Sequence, residues 1–216
     1  MSTAVQDNSA EGPRTGETRE DSAKRRQILD GARRAFLTNG FDAASMNEIA
    51  RAAGVSKGTL YVYFKSKEEL FEAIVEAQIR EQGQQIFNLD READIESELT
   101  RLGRSFSQFM SRPGGVSELR TIIAIADRMP QLGAKFFFAG PAFGMQKLSK
   151  YLDDMVAAGV LEPHDCEVSA AQFIDACVAT TFKPMLFHHA GPPSDERVAH
   201  VVGMAVRSFL ATYLRK

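Results

Sequence analysis

From Ser22 to the end of the chain, apolar residues recur three and four positions apart, and no stretch alternates with period two for long enough to argue a strand. That periodicity predicts an all-α fold. Asn39-Gly40, Gly54, Pro113-Gly114-Gly115, Pro130, Gly140-Pro141, Gly159 through Pro163 and Gly191-Pro192-Pro193 punctuate it. Ile28, Leu29, Ala32, Ala35 and Phe36 share one face of the first helix. Ser45 with Glu48, and Ser66 with Glu69, have the spacing of capping boxes that open the second and fourth helices. Beyond residue 85 the pattern predicts helices near 92–112, 116–129, 131–139, 141–158, 165–189 and 194–214, with Pro184 kinking the fifth of these.

The chain has 216 residues, 44% hydrophobic and 25% charged, a balance that excludes disorder over most of its length. No apolar run reaches the roughly 18 residues of a membrane helix. Residues 1–21 are polar and acidic with no apolar stretch for secretion, which predicts a flexible leader and a cytoplasmic protein. Cys166 and Cys177, if on one helix, stand about 16 Å apart, too far for a disulfide, and read as small buried hydrophobes.

Charge is unevenly spread. Residues 22–67 carry +6, against −3 before them and −5 after them. A compact basic segment on an otherwise acidic chain is the footprint of a polyanion partner, although a solvated basic face has the same composition.

That segment contains SMNEIARAAGVSKGTLYVYF (45–64), which reads as helix, tight turn, helix. Gly54 permits a left-handed turn, Val55 plugs the angle, and Ser56 caps the second helix. Leu60 and Phe64 must face inward, leaving Lys57, Gly58, Thr59, Tyr61 and Tyr63 on or near the outer side. A cation, hydroxyls, a close backbone and phenols suit base edges and phosphates. The same spacing also fits a plain αα-hairpin whose tyrosines are core residues.

Residues Arg25–Glu76, with ILDGARRAF, NGFDAAS, IARAAGVSKGTLYVYF and KSKEELF, resemble the DNA-binding domain of the TetR/AcrR family of bacterial regulators over about fifty consecutive positions. The resemblance implies a three-helix helix-turn-helix domain over 22–84 and a larger helical ligand-binding and dimerisation domain over 85–216. It implies that Ser45 and Met46 meet the sugar-phosphate backbone. Ser56, Lys57, Gly58, Thr59, Tyr61 and Tyr63 fall at contacting positions, and Lys67 at a phosphate-contacting one. Many members have His where this chain has Tyr63; both donate to phosphate. The implied partners are palindromic operator DNA, a small hydrophobic effector and a second copy of the chain, and the implied activity is repression relieved by the effector.

Eleven of the fifteen phenylalanines follow residue 85, and Phe136-Phe137-Phe138 cannot all point one way because successive helical side chains turn by about 100°. The family keeps an apolar ligand cavity in this region, and the segment from Leu119 to Leu161 resembles its AefR-like branch. Phe106, Phe109, Ile122, Phe137, Met145 and Phe182 are the candidate lining. Val198, Val201, Val202, Ala205, Val206, Phe209 and Tyr213 form a stripe on the last helix wide enough for core and partner. The other reading is a helical small-molecule carrier or enzyme with an incidental basic segment. No catalytic or cofactor motif supports an enzyme, and no Cys, His or carboxylate stands three or four residues beyond His188 or His189 to complete a metal site.

Overall fold

The computed structural model describes residues 19–216. The leader expected over 1–21 lies outside the described residues as far as residue 18, and Arg19, Glu20 and Asp21 form the first turn of a helix. Among the described residues the secondary structure is helical apart from an isolated antiparallel bridge between Leu161 and Leu214. The chain divides into two compact units after Ala73.

The first unit holds α1 (Arg19–Asn39), α2 (Met46–Ala53), α3 (Lys57–Tyr63) and the opening turns of α4 (Lys67–Ile86). The apolar face expected on α1 is buried at Ile28, Leu29, Ala32 and Ala35, and Ile49 and Ala53 of α2, Leu60 and Phe64 of α3 and Leu70 and Phe71 of α4 are buried in the same unit. Fully burying each of the larger aliphatic side chains stabilises the unit by about 1.5–3 kcal/mol. Phe36, Phe41 and Phe71 close one side, with ring centroids 5.1–5.7 Å apart.

The second unit holds the rest of α4, then α5 (Ile95–Ser111), α6 (Gly115–Ala126), α7 (Pro130–Phe137), α8 (Phe143–Ala157), α9 (Cys166–Cys177), α10 (Phe182–Leu186) and α11 (Asp195–Tyr213). Its core runs through Leu99 and Leu102 of α5, Leu148 and Leu152 of α8, Phe173 and Cys177 of α9, and Val202 and Val206 of α11. The boundary expected at 84/85 falls in the last turn of α4, whereas the compact units part nearer its start, because Ile79 and Ile86 find their neighbours in the second unit.

Three features of this unit differ from the sequence reading. Gly140-Pro141 does not break the chain: α7 passes into α8 through a π-helical turn, Phe138–Ala142, whose wider bonding spares the proline ring a clash with the carbonyl four residues back. The helix expected over 165–189 is two, with Val178–Thr181 non-helical. Pro184 forbids a helical carbonyl at Thr180, so the chain stops ahead of it and restarts with the proline in the first turn of α10, where no N–H is missed. Finally, the stripe on α11 is consumed by its own chain. Val198, Val201, Val202, Ala205, Val206 and Phe209 are buried, Val202 completely, while Met204 stands on the opposite face at 48% exposure.

Candidate nucleic-acid interface and effector cavity

The α2–turn–α3 unit is built by short-range hydrogen bonds that the residue types dictate. Ser45 Oγ accepts from the Glu48 N–H at 3.3 Å, and Glu48 Oε2 accepts from the Ser45 N–H at 2.8 Å, a reciprocal capping box. These bonds to Ser45 hold the Glu48 carboxyl below its ordinary range. Gly54 adopts φ +65° and its N–H returns to the carbonyls of Ala50 and Arg51. Side chains of α1 satisfy further carbonyls at the same helix end, Gln27 Nε2 at Ala53 O (2.8 Å) and a guanidinium nitrogen of Arg34 at Ala52 O (2.7 Å). Ser56 then caps α3 by accepting from the Thr59 N–H at 3.0 Å.

With Leu60 and Phe64 buried, the outer face of α3 presents Lys57, Gly58, Tyr61 and Val62. Lys57 Nζ leans 5.9 Å from the Tyr61 ring centroid. Ser56 is exposed, but its hydroxyl lies 2.8 Å from that of half-buried Thr59. Tyr63 is also half-buried, and its hydroxyl donates to Asp21 Oδ1 at 3.1 Å. Sequence reasoning missed Val62, which is 81% exposed, more than any other large apolar side chain among the described residues. Its position one turn after Gly58 was the signal available. Ser45 is exposed and Met46 half-buried at the start of α2. Lys67 is half-buried and its ammonium is engaged by the loop before α2.

Within the second unit lies a cavity of about 300 Å³. Of the six residues expected to line it, Phe106, Phe109, Ile122 and Met145 do so, and Phe137 and Phe182 do not. The reason at Phe137 is angular: Phe136 takes the inward position, and Phe137, one step round the helix, is 47% exposed and stacks edge-on against Phe138. Phe182 opens the short helix that Pro184 displaces, away from the lining. Phe87 and Phe143 were missed, because loop and helix-start positions carry no periodic signal. The charged residues of the lining are Arg112, Glu118 and Asp175. Arg112 pairs with Glu118 at 2.5 Å, donates to Phe109 O at 2.8 Å and stands 4.0 Å from the Phe109 ring centroid.

Two family models match the chain. Residues 28–74 match bacterial regulatory proteins of the tetR family, and residues 97–215, more than half the chain, match the C-terminal domain of AefR-like transcriptional repressors. The chain belongs to the TetR family. It is a transcriptional regulator of that family, whose members bind operator DNA and dimerise. The HTH-type transcriptional repressor Rv1474c of Mycobacterium tuberculosis is 45% identical over 53 residues, 24% of this chain and 28% of that protein. A TetR-family regulator from Mesorhizobium loti has a TM-score of 0.84 at 29% identity, covering 92% of this chain and 100% of its own. The flavonoid-responsive regulator FrrA has a TM-score of 0.73 at 28% identity, covering 90% and 99%. Among the described residues, no helix is long and apolar enough to cross a membrane.

Proposed function

We propose that this TetR-family protein is a cytoplasmic repressor that grips a palindromic operator as a homodimer and is released by a small, uncharged aromatic effector. The outer face of α3 carries the reading. Lys57 and Tyr61 offer donors to base edges and phosphates, Gly58 lets the backbone approach, and Val62 offers an apolar contact to a thymine methyl. The flanking Ser56, Thr59 and Tyr63 and the start of α2, Ser45 and Met46, meet the sugar-phosphate backbone. Two copies of α3 related by a two-fold axis address half-sites about 34–36 Å apart.

The effector's chemistry follows from the cavity. Phe87, Phe106, Phe109, Phe136 and Phe143 present aromatic surface. Of its charges, Arg112 and Glu118 neutralise each other as an ion pair, and Asp175 is exposed to solvent, which screens it. An ion entering such a site loses its hydration and meets no compensating field. A neutral aromatic molecule with a hydroxyl gains apolar burial and a hydrogen bond from the Arg112–Glu118 pair. The repressor name of the mycobacterial relative and the flavonoid response of FrrA support this reading.

The test has two arms. DNA selected by the protein from a randomised duplex library should be bound with a steep decline as salt rises, since phosphate contacts release counterions; salt-indifferent or absent binding would remove the DNA-reading role. Calorimetry with 4-hydroxybiphenyl, biphenyl-4-carboxylate and protonated 4-aminomethylbiphenyl should then rank the phenol first. An ion that binds more tightly would overturn the uncharged class.

A further inference from the structure

Family resemblance assigns Lys67, the first residue of α4, to a DNA phosphate. The structure gives its ammonium another occupation. Lys67 Nζ donates to the carbonyl oxygens of Phe41 (2.9 Å), Asp42 (2.8 Å) and Ala44 (3.4 Å), and it lies 4.8 Å from the Phe41 ring centroid. A lysine ammonium has three N–H groups, and here three carbonyls take them. The helix start on which Lys67 stands is itself capped: the Glu69 N–H donates to Ser66 Oγ at 3.2 Å and the Lys65 N–H to Glu69 Oε2 at 2.7 Å.

The braced loop leads directly into the DNA-facing end of α2. Phe41 and Ala44 are buried, and Ser45, next in the chain, is the N-cap of α2. Whatever sets the 41–44 carbonyls therefore sets where Ser45 and the first amides of α2 stand.

We propose that Lys67 is a positioning residue for DNA binding: its ammonium draws the Phe41–Ala44 carbonyls together and so places Ser45 and Met46, without itself contacting a phosphate. This rests on the DNA-reading role proposed above. The tripod demands a compact cation, since three carbonyls converge on one nitrogen. A guanidinium is a planar fork suited to phosphate and cannot reproduce that convergence. The two roles therefore make opposite demands at this position.

The experiment compares the wild type with Lys67→Met, Lys67→Arg and Lys57→Met on a duplex that the wild type has selected from a randomised library. Affinity is measured across a salt series, and amide exchange is followed at Ser45 and Met46. Both Lys67 variants should lose about tenfold or more in affinity, with faster exchange at Ser45 and Met46 and an unchanged logarithmic salt slope. Lys57→Met should flatten the slope, by about 0.9 for each phosphate that is no longer neutralised. A Lys67→Met slope reduced by that amount, with wild-type affinity in Lys67→Arg, would overturn the proposal in favour of direct phosphate binding. Wild-type affinity in both Lys67 variants would overturn it as well. If the wild type binds no duplex in a salt-dependent way, the DNA-reading role falls, an outcome distinct from either of these.

Discussion

Gly31 of α1 and Ala53 of α2 are in backbone contact: a Cβ built on Gly31 would lie 2.3 Å from Ala53 Cα. No side chain is interposed at this crossing, and the α1 side chains Gln27 and Arg34 bond the carbonyls of Ala53 and Ala52 beside it. Gly31→Ala should force the two helices apart, with a loss of about 1–3 kcal/mol or more. Thermal melting of the variant should show the drop, together with impaired DNA binding. An unshifted melting temperature would mean that the crossing is softer than its geometry.

On the outer face of α3, Lys57→Ala should weaken operator binding and relax sequence preference by about 1–3 kcal/mol if the contact is to a base edge. The measurement is a competition between selected and scrambled duplexes.

Val62 gives a sharper readout. Substituting deoxyuridine for thymidine in the selected duplex removes only methyl groups. If Val62 packs on one of them, the substitution should weaken the wild type at that base pair and leave Val62→Ala indifferent. Equal losses for both proteins would place the methyl contact elsewhere.

On α11 two substitutions two residues apart should behave oppositely. Val202 has no exposure and packs against Gly103, so Val202→Asp buries an unpaired carboxylate in the chain's own core and should unfold the second unit. Met204 faces outward, and Met204→Asp should leave helicity intact while shifting a dimer toward monomer in light scattering. A folded monomer from Val202→Asp would reverse this assignment.

Within the cavity, Ile122 is buried and part of the lining. Ile122→Trp should occupy the effector's volume, abolish binding of 4-hydroxybiphenyl by calorimetry and leave operator affinity intact. Undiminished phenol binding would move the effector site.

Burial pushes both thiols, Cys166 and Cys177, up to about 12. They should be inert to thiol reagents at neutral pH until the protein unfolds. A folded value raised above the ordinary 9.0 keeps its stabilising contribution below pH 9 and loses it as pH climbs from there toward 12. Melting temperature should therefore decline with alkalinity above pH 9, a trend that Cys177→Ala should lessen.

The first unit was legible because its signals are local. Ser45 with Glu48, Gly54, and Ser56 with Thr59 each complete a bond within a few residues, and Leu60 and Phe64 need only one helix turn to declare the inner face. In the second unit, deciding facts are long-range. Whether Phe136 or Phe137 faces the cavity depends on the phase of α7, and whether Val202 meets a partner or Gly103 depends on a helix nearly a hundred residues away in the chain. Pro184 was visible, but its effect fell upstream of itself, at Val178–Thr181. Lys67 was visible as a cation, and the sequence carries no mark of the three carbonyls that accept its hydrogen bonds.

The core that joins Leu99 and Leu102 to Val202 and Val206 also imposes an order of events during synthesis. As the chain leaves the ribosome, α1 to α3 and the opening of α4 have all their packing partners in hand and can close early. The second unit must wait. Its α5 exposes Leu99 and Leu102 until α11, about a hundred residues further on, emerges to cover them, a long loop closure that comes late. A nascent chain, or one cut before α11, would thus carry a finished first unit and an unfinished, aggregation-prone second one, and chaperone dependence should be concentrated in the interval before α11 is made.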